Sequence, residues 1–234
     1  MAKCFTSWTV LPHSPIEKIN DHLWRVTGKM PDGKTQREMV LARMADGGVI
    51  VHNAIALDEP EMKELEAWGR PTVIFVPNSF HRQDCATWKQ RYPEAKVVCP
   101  PGARKRVSKI VPVDLVSEDA PGDDRARLLS IEGSQAESIL RIAAGDTVTL
   151  VFNDLVLNMP RMKGPVGFML APTGQVSSPR FARWMMIKDK RAFGAQLRRL
   201  ADTAGLARIE LGHGAPITTD APGALRAVAA QLGA

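Results

Sequence analysis

The side chains able to carry chemistry in this 234-residue chain are few and scattered. Its five histidines, His13, His22, His52, His81 and His213, stand singly, with no H-x-H pair and no H-E-x-x-H helix. Its three cysteines, Cys4, Cys85 and Cys99, lack C-x-x-C spacing, which excludes a cysteine zinc ribbon and a disulfide framework and fits a reducing compartment. Cys85 lies four residues after His81, so on a helix the two would share a face. A thiolate activated by His81 or Arg82 is one reading; a small buried apolar cysteine is the other and the commoner.

Charge narrows the partners. The 31 basic residues exceed the 25 acidic ones, a net charge of +6, which permits acidic ligands without demanding them. The densest basic clusters are Arg104, Lys105, Arg106 and Lys109, and then Arg180, Arg183, Lys188, Lys190 and Arg191. Neither is set in a recognition motif, so both read as solvated faces, and a small-molecule ligand is expected before nucleic acid. No run approaches the roughly 18 apolar residues of a membrane span, and the opening segment has no signal-peptide core. A soluble cytoplasmic protein with no membrane partner is the expectation.

The elements that must position these residues follow from periodicity. Residues 37–52 read as two strands joined at Ala45-Asp46-Gly47-Gly48. Asp58, Pro60 and Glu61 read as a capping box opening a helix through Met62, Leu65 and Trp68, stopped at Gly69. A buried strand at 72–76 follows, then a short helix around Trp88 and a strand at 96–99; both tryptophans read as core. After an acidic turn at 117–124, strands at 128–131, 138–142 and 147–152 form a meander. Residues 158–179, rich in Gly, Pro and Met, read as a loop with one edge strand, Val166 to Leu170, rather than a hairpin flap; the wider stretch 158–186 offers a surface for a homodimer. Asp189 and Asp220 cap two more helices around a strand at 207–211. The alternation is that of an α/β protein with mixed sheets, in two similar halves of about 1–125 and 126–234.

Open α/β sheets gather ligands at the carboxyl ends of their strands. The polar residues that follow a strand here are His52, Asn78 to Asp84, Ser134, Asp154 and His213. Five separate loops each offer a candidate.

On these segments the chain resembles the metallo-β-lactamase superfamily. Residues 47–69 resemble that family's opening strand, loop and helix, with His52 where an aspartate is usual. Residues 73–102 resemble the strand, metal loop, helix and strand that follow. EGSQAESI (132–139) resembles the loop that carries P-G-H-T-x-G-S, VFNDL (151–155) the strand end with the bridging aspartate, and ELGHGAPI (210–217) the closing G-H-G loop. More narrowly, the chain looks like a branch in which N-x-x-H (78–81) and W-x-x-x-Y-P (88–93) replace the usual metal signature. The resemblance implies one domain, 1–234, folded as a four-layer αββα sandwich of two mixed sheets flanked by helices.

The resemblance also implies a metal, but the H-x-H-x-D-H motif is degraded. Asn78 takes its first place; Phe80, or His81 with one residue inserted, takes the second. Arg82 and Gln83, or Asp84 and Cys85, take the last pair, and Ser134 stands where a further histidine would be. A two-metal site needs more donors than remain. Only Asp154 and His213 match ligand positions directly; at most one zinc, iron or manganese ion is implied, held by them with His81 and Asp84 as further donors, and with His52, Asn78 and Ser134 lining the site. The activity implied is hydrolysis of an ester, amide or phosphate of unassigned identity, with no catalytic residue assigned. The alternatives are a metal-free binding or scaffold protein in which these groups bond to one another, and a nucleic-acid-binding protein using the basic clusters.

Overall fold

The computed structural model describes residues 4–33 and 35–234. An antiparallel run comes first: β1 (Glu17–Asn20), β2 (Leu23–Lys29), β3 (Gln36–Arg43) and β4 (Gly48–His52). Helix α1 (Glu59–Trp68) leads to β5 (Arg70–Phe75), α2 (Cys85–Arg91) to β6 (Lys96–Cys99), and α3 (Arg104–Val107) to β7 (Leu115–Val116). These crossovers make β4 to β7 parallel and complete a seven-stranded sheet in sequence order. The second sheet has β8 (Ala126–Ile131), β9 (Ser134–Ala144) and β10 (Thr147–Phe152) as an antiparallel meander. A short ribbon, β11 (Leu157–Asn158) with β12 (Val176–Ser177), brackets α4 (Gly164–Leu170). Then come α5 (Arg180–Met185), α6 (Lys190–Ala201), β13 (Leu206–Leu211), which lies parallel to β10, and α7 (Ala221–Gln231).

Strand alternation decides the layering, because successive side chains face opposite ways. Val49 and Val51 of β4 pack with Met62, Leu65 and Trp88 of α1 and α2. Ile50 of β4, with Val73 and Phe75 of β5, faces inward onto Leu140, Ile142 and Val151 of the other sheet. That sheet's outer face, including Leu150, Phe152 and Ile209, packs on Phe193 and Leu197 of α6 and Leu225 and Val228 of α7. Three apolar interfaces between four layers make an αββα sandwich. The sheets are also joined by charge: Arg25 donates to Glu210 at 3.1 Å and pairs with Glu17 at 2.7 Å.

Several local expectations need correction. Two strands precede residue 37. Asp58 stands at the start of α1 but makes no side-chain cap bond. Gly69 ends α1 in extended backbone, not in a left-handed turn; a Cβ there would lie 2.6 Å from Val49 Cγ2 and 2.9 Å from the Gly47 carbonyl. Residues 166–170 form most of α4 rather than an edge strand, with Pro165 in its first turn. Trp68 is only partly buried and stacks on Trp24 at 4.1 Å, while Trp88 is fully buried. The caps at Asp189 and Asp220 form, accepting from Ala192 N and Gly223 N. Among the described residues no helix is long and apolar enough to cross a membrane.

Candidate metal centre

Three loops at the carboxyl ends of β5, β10 and β13 converge. The first follows β5, where the Asn78 side-chain oxygen accepts from Phe80 N (2.8 Å) and His81 N (3.3 Å), folding the loop so that His81 points inward. The second follows β10, where Glu137 of β9 accepts from Asn153 N and Asp154 N, both at 2.7 Å, and fixes the backbone that carries Asp154. The third follows β13. Gly212 lets this loop approach so closely that a Cβ would sit 2.3 Å from Asn153 Oδ1, and Gly214 takes a left-handed φ of 89°. Both glycines of G-H-G are therefore required by geometry on either side of His213.

The three side chains meet. His81 Nε2 lies 3.3 Å from Asp154 Oδ2, His213 Nε2 lies 3.6 Å from Asp154 Oδ1, and the two Nε2 atoms are 3.3 Å apart. The far side of each ring is fixed. His213 Nδ1 faces the Gln36 carbonyl at 2.6 Å and must donate to it, because a carbonyl only accepts. Asn53 donates through Nδ2 to the Glu38 carbonyl at 2.7 Å, which turns its Oδ1 toward His81 Nδ1 at 3.2 Å; that nitrogen also donates. Both Nε2 lone pairs are left facing a carboxylate and each other. A metal-ligating histidine is oriented this way by a donated bond from its other nitrogen.

Electrostatics match. Burial works against the Asp154 charge, but His81, His213 and the 2.8 Å bond from Asn78 Nδ2 outweigh it and hold the carboxyl down at about 2. Burial, then the neighbouring His81, lower the His213 imidazole, which favours the neutral ligand form. Burial and the Asp154 charge push Glu137 up, to about 8.

The remaining expected residues stand around this cluster or outside it. Asn78 touches it through Asp154. Asp84 does not join it: its buried carboxylate accepts from Arg37 Nη2 at 2.6 Å and from Ala56 N at 3.3 Å. His52 faces the space between the sheets, tilted against Phe75 with ring centroids 5.4 Å apart, and neither of its buried nitrogens has a partner. Burial, then His81, push its imidazole down to about 3. Ser134 donates to the Met186 carbonyl at 2.8 Å and accepts from Ala136 N, so it shapes the start of β9. Cys85 is buried and donates to the Arg82 carbonyl; burial, then Cys4 and Asp84, push its thiol up to about 12, which removes the thiolate reading. Sequence reasoning missed Glu137 and Asn53. The signals were an acid amid the apolar residues of a strand and an asparagine directly after His52, where it takes a left-handed φ of 56°.

A cavity of about 510 Å³ opens beside the cluster, and His81, Asp154 and His213 form part of its wall. A larger one, about 790 Å³, bordered by Cys4, Arg82 and Arg106, includes none of the three. Elsewhere the buried His13 Nε2 lies 3.9 Å from Asp58 and 3.6 Å from Glu61.

A four-layer αββα sandwich with a histidine and aspartate cluster where strand ends from both sheets meet defines an architectural class, the metallo-β-lactamase fold. The particular structures it resembles bear this out. The metallo-β-lactamase DIM-1, in a structure of the enzyme exposed to ceftazidime, superposes with a TM-score of 0.62 at 11% identity, over 95% of this chain and 99% of that one. The metallo-β-lactamase FIM-1 from Pseudomonas aeruginosa, in its mono-zinc form, superposes with a TM-score of 0.60 at 12% identity, over 95% and 96%. No protein-family model matches the chain, and no curated protein matches its sequence. At such identity the likeness is one of fold.

Proposed function

We propose that this protein is a metal-dependent hydrolase with a mononuclear centre held by His81, Asp154 and His213. The observation that carries the reading is the convergence of two imidazole Nε2 atoms and one carboxylate, with each ring locked from behind by an Nδ1 donor bond. Three acceptors cannot share so small a space without a positive charge between them. Three protein donors with open positions suit a catalytic zinc, and two histidines with one carboxylate also suit iron or manganese. The solved mono-zinc form of FIM-1, on the same fold, supports a single ion.

When bound, the ion supplies Lewis-acid activation of water and of a carbonyl or phosphoryl group. The chain's own residues supply the rest. Asn78 and Glu137 fix Asp154, and the Gln36 carbonyl and Asn53 fix the two rings in the ligand tautomer. Cys85 and Cys99 are free and buried, which fits a cytoplasmic enzyme.

The test is hydrolysis of chromogenic esters and phosphodiesters by protein reconstituted with zinc, manganese or iron. We expect activity with one of them, and a loss of at least a hundredfold in His81→Ala and in His213→Ala. Protein that is inactive and whose thermal midpoint none of the three metals moves would instead be a scaffold, its cluster held together by a proton on one of the two rings.

A further inference from the structure

Among the described residues, the large apolar side chains left exposed are Val10, Phe80, Val166, Phe168, Trp184 and Met185. Four of the six sit on α4 and α5, and Phe80 lies on the wall of the 510 Å³ cavity. Single exposed apolar residues need no explanation; a cluster of them beside a reactive site does. Met169 and Leu170 of α4, with Phe181 and Met185 of α5, line that cavity. Met185 belongs to both surfaces, lining the cavity while 73% exposed. The Phe168 and Trp184 rings lie 6.2 Å apart, and the Arg180 guanidinium rests over Phe168 at 4.3 Å. One apolar surface thus runs from the outside of the two helices to the wall that holds His81, Asp154 and His213.

We propose that this surface binds an acyl chain, so that the substrate is an amphiphile whose apolar tail lies along the methionine-lined cavity and whose ester, lactone or amide carbonyl lies at the three-residue cluster. The tail-binding part stands on the cavity alone; the reacting part rests on the hydrolase reading above. Water adds to the carbonyl carbon and the acyl C–O or C–N bond breaks, giving a carboxylic acid and an alcohol or amine, with no change of oxidation state. Methionine is unbranched and conformationally adaptable, which suits a flexible chain better than a rigid ring. A second copy of this chain fits less well. Arg161, Lys163, Arg180 and Arg183 are carried on or beside the two helices, and a two-fold contact through them would set positive charge against positive charge.

Two measurements on the full chain test this. Metal-free protein should bind dansyl-undecanoate saturably, at least tenfold more weakly in Met169→Glu and in Met185→Glu. Met185 is exposed, so its variant keeps the test valid if Met169→Glu does not fold. Metal-loaded protein should hydrolyse p-nitrophenyl esters with kcat/KM rising about three- to fourfold per methylene until the cavity is filled. Absence of saturable probe binding, binding unchanged in Met185→Glu, or a flat chain-length series in an active enzyme overturns the proposal and leaves the hydrolase reading standing. Probe binding without hydrolysis of any ester or phosphodiester supports the acyl-chain site and overturns the hydrolase reading alone. A dimer by light scattering that excludes the probe overturns the proposal in favour of a second copy.

Discussion

Asp84 and Asp154 are both buried aspartates on loops after strands, yet their partners give them opposite roles. Asp84 is neutralised by a guanidinium, with Arg37 on one oxygen and the Ala56 amide on the other. Removing one member of such a buried pair leaves an uncompensated charge, a loss of about 3–5 kcal/mol. Asp84→Ala should therefore lower the urea midpoint sharply, while any protein that still folds keeps its metal; loss of metal without loss of stability would make Asp84 a ligand after all. His52 offers a second prediction. Buried without partners, it is neutral when folded down to about pH 3, whereas its unfolded form takes a proton near 6.5. Between those values the unfolded chain binds more protons, so stability is undiminished above pH 6.5 and falls as pH drops toward 3, by up to about 1.4 kcal/mol per pH unit. In His52→Leu this part of the acid sensitivity should vanish, seen as urea midpoints that converge toward or pass those of the parent as pH falls from 7 to 4.

At the scale of elements, the site is a matter of how closely three loops approach. Gly212 allows the β13 loop to touch Asn153, and a Cβ there would meet Asn153 Oδ1 at 2.3 Å. Gly212→Ala should push His213 away from Asp154 and weaken metal binding about 10- to 100-fold, the range seen when ligand-supporting groups are lost. Stability should fall much less, and calorimetric titration beside thermal melting separates the two. The sequence made some of this legible. The helix caps at Asp189 and Asp220, and the hairpin turn at Asp46-Gly47, are local chemistry and form where their residues stand. Residues 166–170 were misread because a five-residue apolar run carries no period of its own, and Pro165 in a first turn decided for helix. Glu137 was invisible for a different reason. Its partners are backbone amides 16 and 17 residues away, which no side-chain motif records.

For the whole molecule, the sandwich explains how so few ligating residues can form a centre. The sheets pack through Ile50, Val73 and Phe75 against Leu140, Ile142 and Val151, bringing the ends of β5, β10 and β13 to one place. His81 comes from the first half, Asp154 and His213 from the second, so the cluster exists only when both halves are docked. From β3 onward most of the order of elements was readable from alternation and helix signals, whereas β1 and β2 were not, and setting Asp84 aside depended on where Arg37 lies in space. If a metal completes this centre, removing it should loosen the contact between halves and lower the melting temperature, and adding it back should restore the midpoint in proportion to concentration over Kd. Affinity should also weaken as pH falls, because protons compete for the ligand nitrogens, at His213 later than for a free imidazole since its pKa is lowered.

The most direct test of the central claim is metal content measured by mass spectrometry on protein purified without chelator, with His81→Ala, Asp154→Ala, His213→Ala and Ser134→Ala alongside. The account predicts close to one zinc, iron or manganese ion per chain in the parent and in Ser134→Ala, and a stoichiometry near zero in the other three. Metal-free parent protein that takes up none of these ions on dialysis, or a bound ion retained in all three ligand variants, would contradict it.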